Sequence, residues 1–427
     1  MMERFLAPHE AAIDAAGVRV VLYCDVEGDL DNAVLSQALD HLRACSPLVA
    51  GKITPGRDGK PLVRIEDSAP GPVLGHGEDF DDEINAPVAW DRGPLLRLTV
   101  LREAGGSRVA MTLPRAFVDG MSYLSLHQRL WDTYTALAMG GPLPGSLVQP
   151  VLGPALDDLL ATRFTPEQLR DFVAERAQLD TEAPPTLVPA SAARDGHPGT
   201  DRRFRIIGID TDAEQAKRLV QIARSASLTL NTLVSGILLT SLRSLFPATD
   251  GPERLLCTTA VDMRRRLTPP LPAEVLQSAA TTTSIRLEVS TGTHSVAAGQ
   301  ALDARLRADL DSGAAAMELA AFPYMLDQHP PSLVITNVGS ITEPDLPPGL
   351  RISNTRLAPL GHVPMIFAVV SRYQGRLAID LTYSHAWYTD DQMQGLAHTV
   401  TATIDALTAG EPQPATPTRH APGQVAV

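Results

Sequence analysis

The most informative segment of the chain is Val109–Trp131, which reads VAMTLPRAFVDGMSYLSLHQRLW. Within its first five residues, Val109, Met111 and Leu113 are spaced as in a strand that buries one face. From Met121 onward, the apolar residues take helical spacing. The segment therefore predicts a strand, a short polar loop and a helix. A loop between two such elements can hold a side chain rigidly in a cleft.

Asp119 and Gly120 close this loop immediately before the predicted helix. An aspartate in this position commonly accepts hydrogen bonds from the first backbone N–H groups of the helix. On the local pattern alone, this capping role is the simpler interpretation, and a role in chemistry is the alternative.

The same loop resembles the HHxxxDG motif of acyltransferases of the chloramphenicol-acetyltransferase-like superfamily, which includes the condensation domains of peptide synthetases. Asp119 and Gly120 stand at the DG positions, whereas Pro114 and Arg115 stand where the family has two histidines. The motif is therefore degenerate, and the missing half is the one that the resemblance makes catalytic.

The second half of the chain resembles the polyketide-associated acyltransferases of the phthiocerol/phthiodiolone dimycocerosyl transferase type. Several short segments follow the order of that family, namely Leu228–Asn231, Val261–Pro270, Leu306–Leu310, Leu333–Gly339 and Pro347–Leu350. Together with Pro8–Glu10 near the amino terminus, they extend the resemblance over residues 5–407.

The resemblance implies an α/β (α+β) fold with two chloramphenicol-acetyltransferase-like lobes that form a V around a central channel. We predict one lobe at residues 1–175 and another at residues 203–410, joined by a proline- and glycine-rich linker at residues 176–202. Residues 411–427 are rich in proline and threonine and predict a disordered tail.

Composition and charge exclude several functional classes. A net charge of −13 argues against a nucleic-acid-binding surface. The three cysteines form no CxxC pair, which argues against a disulfide framework or a zinc site, and no motif predicts a metal or a cofactor. No apolar run approaches the ~20 residues of a membrane span. With no signal-peptide pattern at the amino terminus, we expect a cytoplasmic protein.

The resemblance also implies which residues form the site. The motif aspartate of the family pairs with an arginine of a Val-Asp-Leu-Arg stretch, so Asp119 and Arg264 are expected to form a structural pair. Arg115 and Asp119 are the candidates for a catalytic role. The candidate channel residues are Gly120, Tyr123, His9 and His362.

Arg115 cannot perform the task of the histidine that it replaces, because a guanidinium stays protonated and cannot act as a general base. Three interpretations remain open. The protein transfers an acyl group from a carrier-protein or coenzyme A thioester to a small alcohol or amine; or its channel serves a cyclisation or isomerisation; or it only binds an intermediate or partner. A carrier domain of a polyketide synthase or peptide synthetase is the expected macromolecular partner in the first case.

Overall fold

A computed structural model of the protein describes residues 1–67, 69–103, 105–145, 152–194, 196–247, 251–324 and 329–410. The predicted disordered tail at residues 411–427 lies outside the described residues.

The described residues form strands and helices in mixed order along the chain. The strands are β1 (Met2–Phe5), β2 (Arg19–Glu27), β3 (Lys52–Pro55), β4 (Pro61–Ile65), β5 (Leu74–Gly77), β6 (Arg97–Glu103), β7 (Gly106–Pro114), β8 (Phe204–Asp210), β9 (Glu253–Asp262), β10 (Ala280–Val289), β11 (Leu333–Ser340), β12 (Arg351–Leu360), β13 (Phe367–Tyr373) and β14 (Arg376–Ser384). The helices are α1 (Pro8–Ala15), α2 (Asn32–Cys45), α3 (Phe80–Asn85), α4 (Gly120–Met139), α5 (Leu156–Ala161), α6 (Pro166–Glu182), α7 (Ala213–Ser225), α8 (Leu230–Leu242), α9 (Ser295–Ser312), α10 (Ala314–Ala320) and α11 (Asp390–Ala409).

Two larger sheets and one small sheet organise these elements. One sheet has five strands in the order β12-β2-β7-β6-β5, and another has six in the order β10-β9-β11-β13-β14-β8. Strand β11 runs parallel to both of its neighbours, and the other pairs of the six-stranded sheet are antiparallel. A three-stranded sheet, β1-β4-β3, lies beside them. The strand and helix expected around the Asp119 loop are β7 and α4.

Strand β12 crosses from the second half of the chain into the sheet of the first half. It pairs antiparallel with β2 from Arg351 opposite Glu27 to Leu360 opposite Arg19. Sheet membership therefore does not follow chain order. Helix α6 extends to Glu182, so the first residues of the predicted linker are helical. The division into lobes at residues 176–202 stays a prediction.

Each large sheet buries an apolar layer against helices. Alternate residues of β2 pack with α2 and α4 on one face of the five-stranded sheet. Helix α8 packs against the six-stranded sheet and is buried on almost every side. Thr229 caps its first turn, since the threonine side chain accepts a hydrogen bond from the Thr232 backbone N–H.

No single helix in the described part of the chain is long and apolar enough to cross a membrane. Only one sharply bent pair of helical segments, Ala213–Ser225 with Leu230–Leu245, passes that test by length and composition.

The packing of α8 on α9 generates a testable prediction at Gly236. A Cβ atom placed there would lie 2.6 Å from the Gly299 backbone nitrogen and would also collide with the Ser295 carbonyl oxygen. Because backbone atoms cannot rotate away, Gly236→Ala must separate the two helices, and we expect it to lower the free energy of unfolding by about 1–3 kcal/mol. Denaturant unfolding followed by circular dichroism measures this change.

Gly395 on α11 provides the matched control, since a Cβ atom there meets nothing within 4 Å. Gly395→Ala should leave the free energy of unfolding unchanged or raise it by about 0.5–1 kcal/mol. Equal effects of the two substitutions would contradict the close helix contact.

Candidate active site

A buried ion pair fixes the loop that precedes α4. The Arg264 guanidinium lies 3.0 Å from the Asp119 carboxylate, and the two side chains have exposed fractions of only 3% and 4%. Arg264 Nε and Nη2 donate to the two carboxylate oxygens at 3.1 Å each. This two-point geometry is the strongest form of such a pair.

Asp119 also caps helix α4, so this one side chain has both the predicted capping role and the predicted pairing with Arg264. Its Oδ1 accepts from the Ser122 backbone N–H at 2.8 Å. Its Oδ2 accepts from the Ala279 backbone N–H at 2.8 Å. Four donors thus satisfy the buried carboxylate, as a buried charge requires.

Arg264 organises the segment that leads into β10. Besides Asp119, its Nη2 donates to the carbonyl oxygens of Gln277 at 2.7 Å and Val275 at 3.2 Å. The Ser122 hydroxyl reaches the same Gln277 oxygen at 3.2 Å. The start of α4 and residues 275–279 are therefore held together as one unit.

Arg115 lies in a single 3-10 turn directly after β7, and Ser278 of that unit anchors it. Its Nη1 donates to the Val118 carbonyl oxygen at 2.7 Å and to the Ser278 hydroxyl at 2.8 Å. Burial lowers the pKa of Arg115, with Asp119 opposing the shift. Among the ion pairs of the described residues, none involves Arg115, and Arg115 is one of the residues that line a cavity.

That cavity has a volume of about 450 Å³ and lies between the two large sheets. Its wall on one side is apolar, formed by α1, β2, β12 and the segment before β13, with Ala12, Ile13, Ala16, Val18, Val20, Leu357, Pro359, Val363 and Met365. The six-stranded sheet supplies the opposite wall, which carries several hydroxyl groups. A mostly apolar cavity with few polar groups is typical of a small-molecule site.

Strand β10 runs along the length of the cavity. Its residues Ala280, Thr282, Ser284 and Arg286, which share one face of the strand, line the cavity, and Thr281 also contributes to the lining. Six residues of strand span about 20 Å. Arg115 and Ser278 lie at the beginning of this strand, and Arg286 marks the opposite end of the cavity.

The predicted channel residues lie in different places. Gly120 lines the cavity. Tyr123 is fully buried beneath α4, where its hydroxyl donates to the Met111 carbonyl oxygen at 2.5 Å, because its helical position faces the sheet. His362 stacks on the Phe204 ring with centroids 4.3 Å apart, outside the cavity wall.

His9 is buried on α1, beside the cavity-lining residues of that helix, but does not itself line the cavity. Its Nδ1 pairs with the Asp157 carboxylate. Its Nε2 makes no hydrogen bond with the described residues. The C-terminal end of α1 thus contributes apolar side chains to the cavity wall, and the His9 imidazole is not part of that wall.

Other cavity residues were not apparent from the sequence. His329 lines the cavity and is exposed. It precedes β11, whose first residue pairs with Cys257. Cys257 also pairs with Ile285 of β10, so His329 lies near the Arg286 end of the cavity rather than the Arg115 end. Glu318 and Ser284 also line the wall. The run of hydroxyl residues from Thr281 to Ser284 was the available signal, but it does not show which face of the strand meets a cavity.

Comparison with known proteins agrees with this geometry. Residues 200–382 match the family model described as phthiocerol/phthiodiolone dimycocerosyl transferase C-terminus. Polyketide synthase associated protein 5 from Mycobacterium tuberculosis is 21% identical, with a TM-score of 0.74 over 95% of this chain and 97% of that one. The chain has the fold of the condensation-type acyltransferases.

Further solved structures support the same fold. The first condensation domain of the calcium-dependent antibiotic synthetase is 18% identical, with a TM-score of 0.74 and 97% of each chain covered. The trichothecene 15-O-acetyltransferase of Fusarium sporotrichioides is 13% identical, with a TM-score of 0.73 and 95% of each chain covered. A search of curated proteins finds no significant match. The predicted resemblance to the dimycocerosyl transferase type and the predicted α/β fold of the condensation domains are confirmed. The assignment of Pro114 and Arg115 to the two histidine positions, and of the catalytic residues, stays a prediction.

The buried pair yields a stability prediction. Asp119→Ala leaves the Arg264 cation buried without its counter-charge and removes a helix cap, so we expect a loss of roughly 3–5 kcal/mol in the free energy of unfolding. The double variant Asp119→Ala with Arg264→Met should be less destabilised than the single variant, because it no longer buries an unpaired charge. Urea denaturation of the two variants tests this order, and a double variant that is the less stable would contradict it.

His127 generates a pH prediction. It is buried in α4, accepts a hydrogen bond from Trp131 Nε1 at 2.9 Å, and burial lowers its pKa to about 3. The unfolded chain therefore binds a proton at this residue below about pH 6.5, while the folded chain does not. Its contribution to stability is complete above that pH and is lost as the pH falls toward 3.

His127→Gln keeps an acceptor for Trp131 but cannot titrate. We expect the difference in unfolding free energy between the original protein and this variant to shrink as the pH falls, by up to about 1.4 kcal/mol per unit. Urea midpoints measured from about pH 7 down to pH 4.5 provide the test. Parallel pH profiles for the two proteins would contradict a buried neutral His127.

Proposed function

We propose that the protein transfers an acyl group from a thioester to a small-molecule acceptor inside the cavity, with Arg115 stabilising the negative charge that develops on the carbonyl oxygen. The observation that carries this proposal is the placement of Arg115. Arg115 lines a mostly apolar cavity, its guanidinium is held from one side by Val118 and Ser278, and it takes part in no ion pair among the described residues.

The proposed reaction requires no proton acceptor on this loop. The acceptor atom bonds to the thioester carbonyl carbon, and the carbonyl oxygen becomes an oxyanion beside Arg115. When the tetrahedral intermediate collapses, the carbon–sulfur bond breaks and the thiolate leaves. The proton lost by the acceptor goes to solvent or to the departing thiolate. An amine, reactive without a base, suits this scheme because it mainly needs positioning.

Two features make Arg115 effective in this role. Because Nη1 is engaged by the Val118 carbonyl and the Ser278 hydroxyl, the guanidinium is oriented before the reaction begins. Because the cavity wall is largely apolar, the attraction between a guanidinium and an oxyanion is stronger there than in water. Preorganised donors of this kind are the usual means of stabilising acyl-transfer intermediates.

The proposed setting is natural-product biosynthesis in the cytoplasm, with coenzyme A or a carrier domain of a polyketide synthase or peptide synthetase as the thioester donor. Support for the setting comes from the dimycocerosyl transferase domain match and from the likeness to a condensation domain. A cyclisation or isomerisation in the same cavity would use the same cation and would consume no thioester, so thiol release separates the two reactions.

The test is the rate of thiol release from palmitoyl-coenzyme A in the presence of a long-chain amine. Arg115→Ala should lower this rate by about 10² to 10³, the usual effect of removing one oxyanion donor. Arg115→His should not raise this rate, because a desolvated histidine is mostly neutral at pH 7 and therefore supplies no fixed cation for the oxyanion. Arg102→Ala, an exposed arginine of β6, is the matched control and should leave the rate unchanged.

A rate that Arg115→Ala leaves intact would contradict the proposed role. A rate that Arg115→His raises strongly would show instead that a base, rather than a cation, is what the site lacks. If the original protein releases no thiol from coenzyme A or carrier-bound donors, the proposed reaction is wrong.

A further inference from the structure

The cavity contains a second polar site, at a distance from Arg115. Glu318 projects from α10 onto the cavity wall, with an exposed fraction of 7%. Its Oε1 accepts from the Ser284 hydroxyl at 2.9 Å and the Thr282 hydroxyl at 3.1 Å. Thr258 Oγ1 lies 3.0 Å from the same Ser284 hydroxyl and continues the chain of hydroxyl groups.

The other oxygen of Glu318 is less completely bonded. Oε2 accepts from the Ser284 backbone N–H at 3.2 Å, and the nearest cation is Arg176 Nη2 at 3.7 Å. That separation is an ion-pair distance and is too long for a hydrogen bond. Arg176 is itself held by the Ser284 carbonyl oxygen, which accepts from Nη1 at 3.2 Å. The carboxylate and the guanidinium thus face each other across a gap.

A hydroxyl group placed beside this pair, in contact with both atoms, suits it better than other common groups. One hydroxyl can donate to Glu318 Oε2 and accept from Arg176 Nη2, each at about 2.8 Å. An ammonium group only donates, so it would leave Arg176 unsatisfied and add a second cation. A methyl group would satisfy neither. Burial raises the pKa of Glu318, so an additional donor would stabilise a carboxylate that its present partners compensate incompletely.

The spacing of residues along β10 and the segment before it gives the approximate distance between the two polar sites. Arg115 is bonded to Ser278, whereas Glu318 is bonded to Thr282 and Ser284. Four to six residues of extended chain correspond to about 13 to 20 Å, or roughly 10 to 16 bonds of a linear chain. Glu318 is therefore too far from Arg115 to act on the same carbonyl group.

We propose that Glu318 and Arg176 form a subsite for a hydroxyl group carried at the far end of the substrate chain whose carbonyl group lies at Arg115. The inference rests on the proposed function in one respect, since it takes the group bound at Arg115 to be the carbonyl group of an acyl chain. The substrate class is then a long, largely apolar acyl chain with a remote hydroxyl, rather than a plain hydrocarbon chain. The apolar wall opposite β10 covers the chain between the two ends.

The subsite can be tested by binding, without turnover. Isothermal titration calorimetry would compare hexadecanoic acid with ω-hydroxyhexadecanoic acid, whose carboxylate occupies the position of the oxyanion and whose hydroxyl lies about 16 bonds away, within the span set by β10. A hydrogen bond to a charged group corresponds to about ten- to a hundredfold in affinity, so the ω-hydroxy acid should bind tighter by that factor. β-Hydroxyhexadecanoic acid, with its hydroxyl near the carboxylate, should bind no tighter than the plain acid.

Substitution of the subsite should remove the preference for the ω-hydroxyl. Glu318→Gln keeps the size of the side chain, and the neighbouring hydroxyls can rotate to accept from its amide. We expect the preference to fall to less than about threefold, because the partner is no longer charged. Glu318→Met should abolish it. Glu288→Gln is the matched control, since Glu288 is exposed at the end of the same strand and pairs with Arg254.

The outcomes separate the subsite from the proposed reaction. A preference that survives Glu318→Gln and Glu318→Met unchanged, or an original protein that binds the three acids equally or not at all, would overturn the subsite. A preference lost in Glu318→Gln in a protein that releases no thiol would support the subsite and refute acyl transfer. If Glu318→Met does not fold, the Gln variant alone decides the result.

Discussion

The ion pair between Asp119 and Arg264 determines where every other part of the site lies. It joins the start of α4, in the first half of the chain, to residues 275–279, in the second half. Ser278 belongs to that second segment and is the side-chain partner of Arg115. The orientation of Arg115 therefore depends on the Asp119–Arg264 pair, and Asp119 itself also lines the cavity. Removing one partner of a buried pair is costly, so the pair constrains both segments whichever residue occupies position 115.

The width of the cavity is fixed by contacts between the two large sheets. Strand β12 leaves the second half of the chain to pair with β2 over its full length. From the same strand, Arg356 reaches across to the six-stranded sheet, where its Nη1 donates to the fully buried Asp380 at 2.7 Å. These contacts hold an apolar wall opposite a hydroxyl-bearing wall.

Part of this arrangement could be predicted from the sequence, and the limits have physical causes. The alternation at Val109–Leu113 and the helical spacing from Met121 are local patterns, and both elements form where the pattern placed them. Strand β12 was not predicted, because its residues 351–356 are mostly polar and its partner strand lies more than 300 residues earlier. The partners of Arg115 and Glu318 were missed for a related reason. Ser278 and Ser284 are ordinary serines in the sequence, and only the fold shows that one anchors a cation and the other a carboxylate.

The exchange of β12 also has a consequence for how the protein is made. Strands β2, β7, β6 and β5 are all synthesised before residue 115, whereas the strand that covers the free edge of β2 ends at residue 360. At ordinary translation rates, the ribosome needs on the order of ten to fifty seconds to produce the intervening chain. Throughout that interval, β2 presents unpaired backbone groups and an apolar sequence to other nascent chains, which is the usual template for aggregation. We therefore expect the first half of this protein to need chaperones during synthesis, and its heterologous production should benefit more from added chaperone than from any change at the cavity.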